Sequence, residues 1–367
     1  MSQESTKTNN SDNNDTATIL QIAADQGDPD AMFKYGMMLR EGEGIEADKK
    51  EAAKYFKMSA DQGNSDSMFN YATMLYKGEG VTINKSEAAR YFKMSADEGN
   101  SRAMLNYGNM LHEGEGVALN SKESARYLKK AADAGNADAM FNYGSMLQAG
   151  EGVTINKKEA ARYFKASADL GNTNAMCNYG SMLRDGDGIV LNKKEAAQYL
   201  KMSADKGNSF GMFTYAVMLH DGDGITPNKK EAAKYLKMSA DMGNSFAMSN
   251  YGVLLLDGDG VPANRKEAIR YFKMSADHGN TQAMFNYGCM LYSGEGVSGD
   301  KLEAARYFKM SADKGDTQSM LRYALMLNDG DGVNVDRNEA ARYLKMAADQ
   351  GNPDAIEACT VYGCSIQ

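Results

Sequence analysis

The sequence predicts an all-α solenoid, a superhelix of stacked antiparallel helix pairs. Three observations predict this fold class: a motif that repeats every 36 residues, two helical segments within each repeat, and small residues at fixed places in every repeat. A fixed period of this size is typical of solenoids, in which each repeat buries its apolar surface against its neighbours.

The period is marked by the glycine that closes the run A-D-x-G. It recurs without insertion or deletion, at Gly27, Gly63, Gly99, Gly135, Gly171, Gly207, Gly243, Gly279, Gly315 and Gly351. Nine full repeats therefore run from about Gly27 to Asp349. The apolar content of 43% is ample for a core.

The first segment of each repeat predicts a helix, here named helix A. In the second repeat Asn64 offers an N-cap, and Gly78 and Gly80 end the helix because glycine adopts the left-handed conformation easily. Between them, small and apolar residues follow at helical spacing and define one buried face: Ser67, Met68, Tyr71, Met74 and Leu75. Val81 and Ile83 are expected to return to the core.

The second segment predicts helix B. Asn84 and Glu87 have the spacing of a capping box, in which the Asn side chain accepts from a free backbone N–H and the Glu side chain reaches back to the cap. The same spacing recurs at Asp48/Glu51, Asn120/Glu123, Asn156/Glu159, Asn192/Glu195, Asn228/Glu231, Asn264/Glu267, Asp300/Glu303 and Asp336/Glu339. Each repeat is therefore a helical hairpin.

Some positions stay constant from repeat to repeat. Gly or Ala always follows the helix A tyrosine, as at Gly36 and Ala324, and an alanine recurs in helix B from Ala60 to Ala348. Small residues let helix axes approach closely. The 27 methionines are interpreted as a core stripe, and a Met-rich binding groove is the alternative.

Shorter segments flank the repeats. Residues 1–15 are polar and are expected to be disordered, Thr16–Asp25 matches a lone helix B, and Asn352–Tyr362 matches a lone helix A. The predicted domains are thus a disordered segment at 1–15, the solenoid at 16–363 and a tail at 364–367. The outer face of the last half repeat suggests weak self-association, with fraying as the alternative.

Composition narrows the classes of partner. The net charge of −8 disfavours nucleic acid and anionic membrane. No signal peptide or transmembrane helix is expected. The four cysteines have no framework spacing, which suggests a reducing compartment, and we expect a cytoplasmic protein.

The pattern A-x-x-x-Y-G-x-x-L-x-x-G-x-G-V, followed by E-A-A-R-Y-F-K-x-S-A-D-x-G-N, resembles the Sel1-like repeat family, within the tetratricopeptide-like superfamily. The likeness covers about residues 16–363. It rests on residues such as Ala103, Gly108, Leu111, Gly114, Gly116, Val117, Ala125, Tyr127, Ala132 and Gly135. Tyr107, Leu111 and Tyr127 depart from the residues usual in the family and are read as volume-conserving repacking.

The resemblance implies a helical solenoid with an adaptor role, in which A helices line the concave face. Family members scaffold degradation complexes in the endoplasmic reticulum or act as regulatory partners in signalling. The former usually carry a signal peptide and a membrane anchor, neither of which we find in this sequence. A bacterial branch has paired cysteines in each repeat, which this sequence lacks.

The sequence offers no catalytic or metal-binding set. His112 and His220 share one position near the end of helix A, and His278 lies in a turn, so surface roles are expected. Loops such as Asp185-Gly186-Asp187-Gly188 begin like a calcium loop but lack its further oxygen ligands, and we interpret them as glycine turns with a solvated acid. We expect no cofactor.

Two sets of residues are candidates for peptide binding. One helix A position is asparagine in most repeats, which could clamp an extended peptide or merely stabilise stacking: Asn70, Asn106, Asn142, Asn178, Asn250 and Asn286. Phe210 and Phe246 replace polar residues and could form an apolar contact patch. Two other helix A positions vary freely between repeats. One is Met37 in the first repeat and Leu325 in the ninth, and the other is Arg40 in the first and Asn328 in the ninth.

The sequence thus favours a non-enzymatic scaffold that binds a protein or peptide along its concave face. A regulatory subunit of a kinase or of a ubiquitin-ligase or endoplasmic-reticulum degradation complex is a second hypothesis. A hydrolase would need a clustered nucleophile or acid, which the sequence does not offer.

Overall fold

The computed structural model describes residues 5–362, with side chains described from Asp15 onward. The regular secondary structure in this range is entirely α-helical. Even-numbered helices from α2 to α18 are A helices and odd-numbered ones from α3 to α19 are B helices. The helices are α1 Ser5–Asp25, α2 Pro29–Glu41, α3 Lys49–Asp61, α4 Ser65–Lys77, α5 Lys85–Asp97, α6 Ser101–Glu113, α7 Ser121–Asp133, α8 Ala137–Ala149, α9 Lys157–Asp169, α10 Thr173–Asp185, α11 Lys193–Asp205, α12 Ser209–Asp221, α13 Lys229–Asp241, α14 Ser245–Asp257, α15 Arg265–Asp277, α16 Thr281–Ser293, α17 Lys301–Ala312, α18 Thr317–Asp329, α19 Arg337–Asp349 and α20 Pro353–Tyr362. The predicted all-α solenoid of helix pairs is confirmed.

The chain divides into two compact bodies, and each is described by itself. The N-terminal body comprises residues up to Met182 together with Gly186–Val190, and the C-terminal body comprises Leu183–Asp185 and residues from Leu191. Within each body an A helix packs on the B helix that follows it, as α4 does on α5 and α14 on α15. It also packs on the B helix that precedes it, as α4 does on α3.

The turn from helix A to helix B is fixed by backbone hydrogen bonds. Gly78, with φ of 77°, ends α4 in the left-handed conformation, and its N–H donates to the Met74 carbonyl at 2.8 Å. The N–H of the next cap, Asn84, donates to the Leu75 carbonyl at 2.9 Å. This bond corrects the predicted capping box: Asn84 Oδ1 accepts from the Glu87 N–H, but the cap N–H is already used by helix A. Glu87 instead accepts from Asn84 Nδ2 at 3.3 Å.

The loop between the two helices packs on the preceding repeat. A Cβ at Gly116 would lie 2.4 Å from the Lys85 carbonyl carbon at the start of α5, and Gly116 has φ of 69°. The expectation that Ile83 returns to the core is wrong, since it is 59% exposed. Its side chain lies over Gly78 at the surface, where a Cβ on that glycine would come within 2.7 Å of Ile83 Cγ1.

Each hairpin is closed by an aromatic pair and a close helix contact. The rings of Tyr71 and Tyr91 meet edge to face at 4.9 Å. A Cβ on Gly108 would lie 2.8 Å from Leu128 Cγ, which explains why this position stays small. The helix A methionines, such as Met68 and Met104, are buried as predicted, whereas Met58 and Met202 in helix B are exposed.

Neighbouring repeats are joined by hydrogen bonds that recur every 36 residues. In eight repeats the hydroxyl of the helix B tyrosine donates to an aspartate at the C-terminal end of the preceding B helix or, for Tyr55, of α1: Tyr55–Asp25, Tyr91–Asp61, Tyr127–Asp97, Tyr163–Asp133, Tyr235–Asp205, Tyr271–Asp241, Tyr307–Asp277 and Tyr343–Asp313. Within a hairpin, a buried helix B serine donates to a carbonyl in the first turn of its own A helix: Ser59–Pro29, Ser95–Ser65, Ser167–Ala137, Ser239–Ser209, Ser275–Ser245 and Ser311–Thr281.

The tyrosine–aspartate bonds predict a loss of stability in acid. A hydrogen bond from Lys129 lowers the pKa of Asp133 below its ordinary value of 3.8, partial burial opposes this, and Tyr163 adds a second lowering bond. A depressed folded-state pKa stabilises the fold above pH about 4 and loses that contribution as the pH falls through the folded pKa. The free energy of unfolding should therefore fall below pH about 4, as measured by urea titration. Tyr91→Phe, Tyr127→Phe and Tyr163→Phe together should flatten this dependence, and Tyr362→Phe should leave it unchanged.

The flanking segments form α1 and α20. α1 begins at Ser5, upstream of the predicted start at Thr16, because extending a formed helix is far easier than nucleating one. It packs on α2, and α20 packs on α19, so each acts as half a repeat. Residues 1–4, Cys364 and the predicted tail at 364–367 lie outside the described residues.

Candidate binding surface

The two variable helix A positions lie on one surface, here called the A-helix face. The position that holds Thr73 and Asn109 is at least partly exposed in every repeat, and most clearly in the seventh, where Val253 is 38% exposed. At the second variable position, four residues contact the acid in the glycine loop of the next repeat: Tyr76, His112, His220 and Tyr292. The Tyr76 hydroxyl donates to Glu115, and the Tyr292 hydroxyl donates to Asp331 at 2.6 Å.

That loop acid is not simply solvated, contrary to expectation. A lysine at the start of the preceding B helix pairs with it in most repeats: Lys49–Glu79, Lys85–Glu115, Lys157–Asp187, Lys193–Asp223, Lys229–Asp259 and Lys301–Asp331. Sequence reasoning missed this pairing, although the lysine and the acid are always 30 residues apart, which was a readable signal. The loop acid thus joins neighbouring repeats.

In the N-terminal body the A-helix face holds two grooves. One, of about 400 Å³, is lined by Thr73, Tyr76, Asn106 and Asn109, with Phe69 and Phe92 at its floor. The other, of about 310 Å³, is lined by Asn109, His112, Asn142 and Ser145. Both grooves combine apolar surface with amide and hydroxyl groups, so they can accept and donate hydrogen bonds to a partner.

In the C-terminal body the A-helix face holds a groove of about 480 Å³, here called the α14–α18 groove. Its apolar wall consists of Leu256, Cys289, Leu325, Met326 and Phe308, and its rim carries Arg322, Glu295, Asp329 and Asp331. The α14–α18 groove can therefore take an apolar side chain.

Two groups in the α14–α18 groove have shifted pKa values. Burial raises the pKa of the Cys289 thiol, so the groove presents a neutral sulfur. Hydrogen bonds from Lys301 and then Tyr292 lower the pKa of Asp331, which keeps this rim acid ionised and paired.

The structure places the candidate asparagines in different surroundings. Asn70 is buried: its Oδ1 accepts from Arg40 of the preceding repeat, and its Nδ2 donates to the Asp66 carbonyl at 2.8 Å. Asn142 Nδ2 donates to Asn109 at 2.9 Å, and Asn250 Nδ2 donates to the Phe246 carbonyl at 2.9 Å. Asn286 Oδ1 accepts from Gln282 at 3.2 Å. Asn106 lines the larger groove of the N-terminal body, and Asn178 is partly exposed on α10. The bonded amides thus do not form one ladder along equivalent positions.

The two candidate phenylalanines are exposed, as expected. Phe210 is 57% exposed and Phe246 is 53% exposed, both in the first turn of their A helices. The Phe246 ring packs on Phe213 with 6.0 Å between ring centroids. Phe210 and Phe246 thus expose aromatic surface on the A helices of the C-terminal body.

His220 and His278 have local partners. His220 contacts Asp221 at 2.7 Å and Asp259 at 3.1 Å, and these hydrogen bonds, that to Asp221 foremost, raise the pKa of His220. His278 Nδ1 lies 2.8 Å from the Met274 carbonyl. Within the described part of the chain no three acid, cysteine or histidine side chains converge as metal ligands. None of the described helices is long and apolar enough to cross a membrane.

Comparison with known proteins agrees with the geometry. The family model of the Sel1 repeat matches nine consecutive segments: residues 29–64, 65–100, 101–136, 137–172, 173–208, 209–244, 245–280, 281–316 and 317–352. The chain belongs to the Sel1-repeat family. Proteins of this family are generally scaffolds for protein interaction. A comparison with curated sequences gives no significant match.

Two solved structures show what this Sel1-repeat protein is similar to. One is c5321, a protective antigen present in uropathogenic Escherichia coli strains and displaying an SLR fold: identity is 27%, the TM-score is 0.82, and the match covers 95% of this chain and 75% of that one. The other is a Sel1 repeat protein from Oxalobacter formigenes, with 26% identity, a TM-score of 0.65, and coverage of 84% of this chain and 89% of that one. Both support the repeat fold.

Proposed function

We propose that this Sel1-repeat protein is a non-enzymatic scaffold or adaptor that binds a protein or an extended peptide on its A-helix face. The observation that carries the proposal is that positions which vary between near-identical repeats line the grooves. Thr73, Asn109, Cys289 and Leu325 are the same position in four repeats, and each lines a groove. Constant positions, such as Gly108 and Tyr127, are buried in the hairpins.

The grooves of both bodies offer groups that a partner can use. The grooves of the N-terminal body present Asn106 and Asn142, so they suit the backbone of an extended segment. The α14–α18 groove of the C-terminal body suits an apolar side chain. A preformed surface lowers the ordering cost of binding for such a segment. A cytoplasmic location, suggested by the scattered cysteines, is part of the proposal.

A random peptide display library selected on the full chain tests the proposal. We expect enriched peptides that carry at least one large apolar residue and compete with one another. Asn106→Ala, Asn142→Ala and Asn178→Ala together separate the two roles of the asparagines. A loss of peptide affinity supports binding, whereas a lowered melting temperature at unchanged affinity supports stacking. If no peptide is enriched on the chain over a denatured control, the proposal fails.

We also propose weak self-association through α20. Its exposed side carries Ile356 and Tyr362, which stand at the positions of Met68 and Met74 in the second repeat, where both are buried. Sedimentation equilibrium over a range of protein concentrations would detect it, and a mass that stays monomeric would contradict it.

A further inference from the structure

The first turn of the A helices carries a hydrogen bond that joins neighbouring repeats. In three repeats of the N-terminal body the N-cap asparagine of an A helix donates its Nδ2–H to an aspartate in the first turn of the preceding A helix. The pairs are Asn64–Asp30 at 2.9 Å, Asn100–Asp66 at 3.1 Å and Asn172–Asp138 at 2.8 Å. The residue that caps the helix thus also ties it to the repeat before.

At Asn244, in the C-terminal body, this bond is missing. Its Oδ1 still accepts from the Ala247 N–H at 3.0 Å, so the helix cap is kept. Phe210 stands where the aspartate would be, and Asn244 Nδ2 has no hydrogen-bond partner among the described residues although the side chain is only 6% exposed. A buried donor without an acceptor destabilises a fold. With Phe210 at this position, Asn244 lacks a hydrogen bond and the phenylalanine ring is exposed to water.

The next repeat departs from the pattern in the same way. Phe246 takes the position that Arg102 holds in the N-terminal body, where the guanidinium lies over the Phe69 ring at 4.5 Å. In the C-terminal body the equivalent contact joins Phe246 to Phe213. Two charged or polar positions have thus become aromatic in adjacent repeats beside one unpartnered amide. Broken local rules without a structural gain are expected at functional sites.

We infer that Phe210, Phe246 and Asn244 Nδ2 form a recognition site for a protein segment that brings a large apolar side chain and a backbone carbonyl oxygen. The inference rests on the proposed peptide binding and names a site for it. Exposed rings rotate on the picosecond to nanosecond scale, which gives the segment access to the buried amide. The carbonyl oxygen then accepts as the Asp30 carboxylate does from Asn64. A carbonyl fits better than a carboxylate because Phe210 and Phe246 supply apolar surface to the site and a charge is harder to desolvate.

Phe210→Asp provides a test with two readouts of opposite sign. The new carboxylate restores the acceptor for Asn244, and it lies in the first turn of α12, where the helix dipole favours an acid. We expect Tm to rise by roughly 2–4 °C. Peptides selected on the wild-type chain, with counter-selection against Phe210→Asp, should bind this variant at least roughly tenfold more weakly because an apolar anchor is lost. Phe210→Ser should weaken binding equally without the rise in Tm.

Asn244→Asp tests the amide itself. Aspartate keeps the N-cap acceptor, as Asp316 does at α18, and removes the donor. We expect roughly tenfold weaker binding of the counter-selected peptides, since a hydrogen bond to the ligand is replaced by repulsion between oxygens. Asn136→Asp, at the matching cap of α8, should leave the affinity for these peptides unchanged.

Three results would overturn the inference: no peptide survives counter-selection, Asn244→Asp leaves affinity unchanged, or Phe210→Asp does not raise Tm. Peptides that respond to Leu325→Asp but not to Phe210→Asp would overturn this inference while leaving the proposed function intact.

Discussion

Gly116→Ala should lower the free energy of unfolding by about 2–4 kcal/mol. Two effects add at this residue. Its φ of 69° lies in the left-handed region, which an alanine adopts at a cost of about 1 kcal/mol. The added Cβ would also lie 2.4 Å from the Lys85 carbonyl carbon, and backbone cannot move away as a flexible side chain can. Urea unfolding of the full chain measures the change.

Gly135→Ala is the matched control for this prediction. Gly135 has φ of 89°, but a Cβ there would meet no atom within 4 Å. Only the conformational cost applies, so we expect a loss of about 1 kcal/mol. If the two variants lose equal stability, the glycine loop does not pack on the preceding repeat as described. A displaced loop should also break the Lys85–Glu115 pair, which is 2.9 Å long, so Gly116→Ala and Glu115→Gln should not be additive.

Leu325→Asp should weaken the binding of peptides selected on the wild-type chain by roughly tenfold to a hundredfold. Leu325 belongs to the apolar wall of the α14–α18 groove, and burying one large apolar side chain of a ligand contributes about 1.5–3 kcal/mol. A carboxylate in that wall removes the apolar contact and must be desolvated when the ligand enters. Fluorescence anisotropy with a labelled selected peptide measures the affinity.

Two further variants show whether the effect of Leu325→Asp comes from the α14–α18 groove. Leu256→Ser changes the opposite end of the same groove without adding a charge, and it should also weaken binding. Met238→Asp places the same charge on the exposed side of helix B, away from the A-helix face, and should leave affinity unchanged. Equal losses with Leu325→Asp and Met238→Asp would show that the peptide does not use the groove. A melting curve for each variant verifies that it is folded.

The sequence alone determined the repeat and what lies within it. The spacing of the glycines fixes the period, and the helical spacing of Met68, Tyr71 and Leu75 defines the buried face of helix A that the structure shows. The N-caps and the need for small residues at positions such as Gly108 were also predictable. These features are local because they depend on residues within one hairpin, which physical rules connect directly to sequence spacing.

Only the tertiary structure decided how repeats meet. The Tyr91–Asp61 and Lys85–Glu115 contacts span 30 residues, and nothing in the pattern of a single hairpin says which side chains of the next hairpin will face them. The same limit explains why the loop acids were interpreted as solvated and why the unpartnered amide of Asn244 went unseen. Each depends on the relative placement of two helices, which side-chain packing determines and a one-dimensional period leaves open.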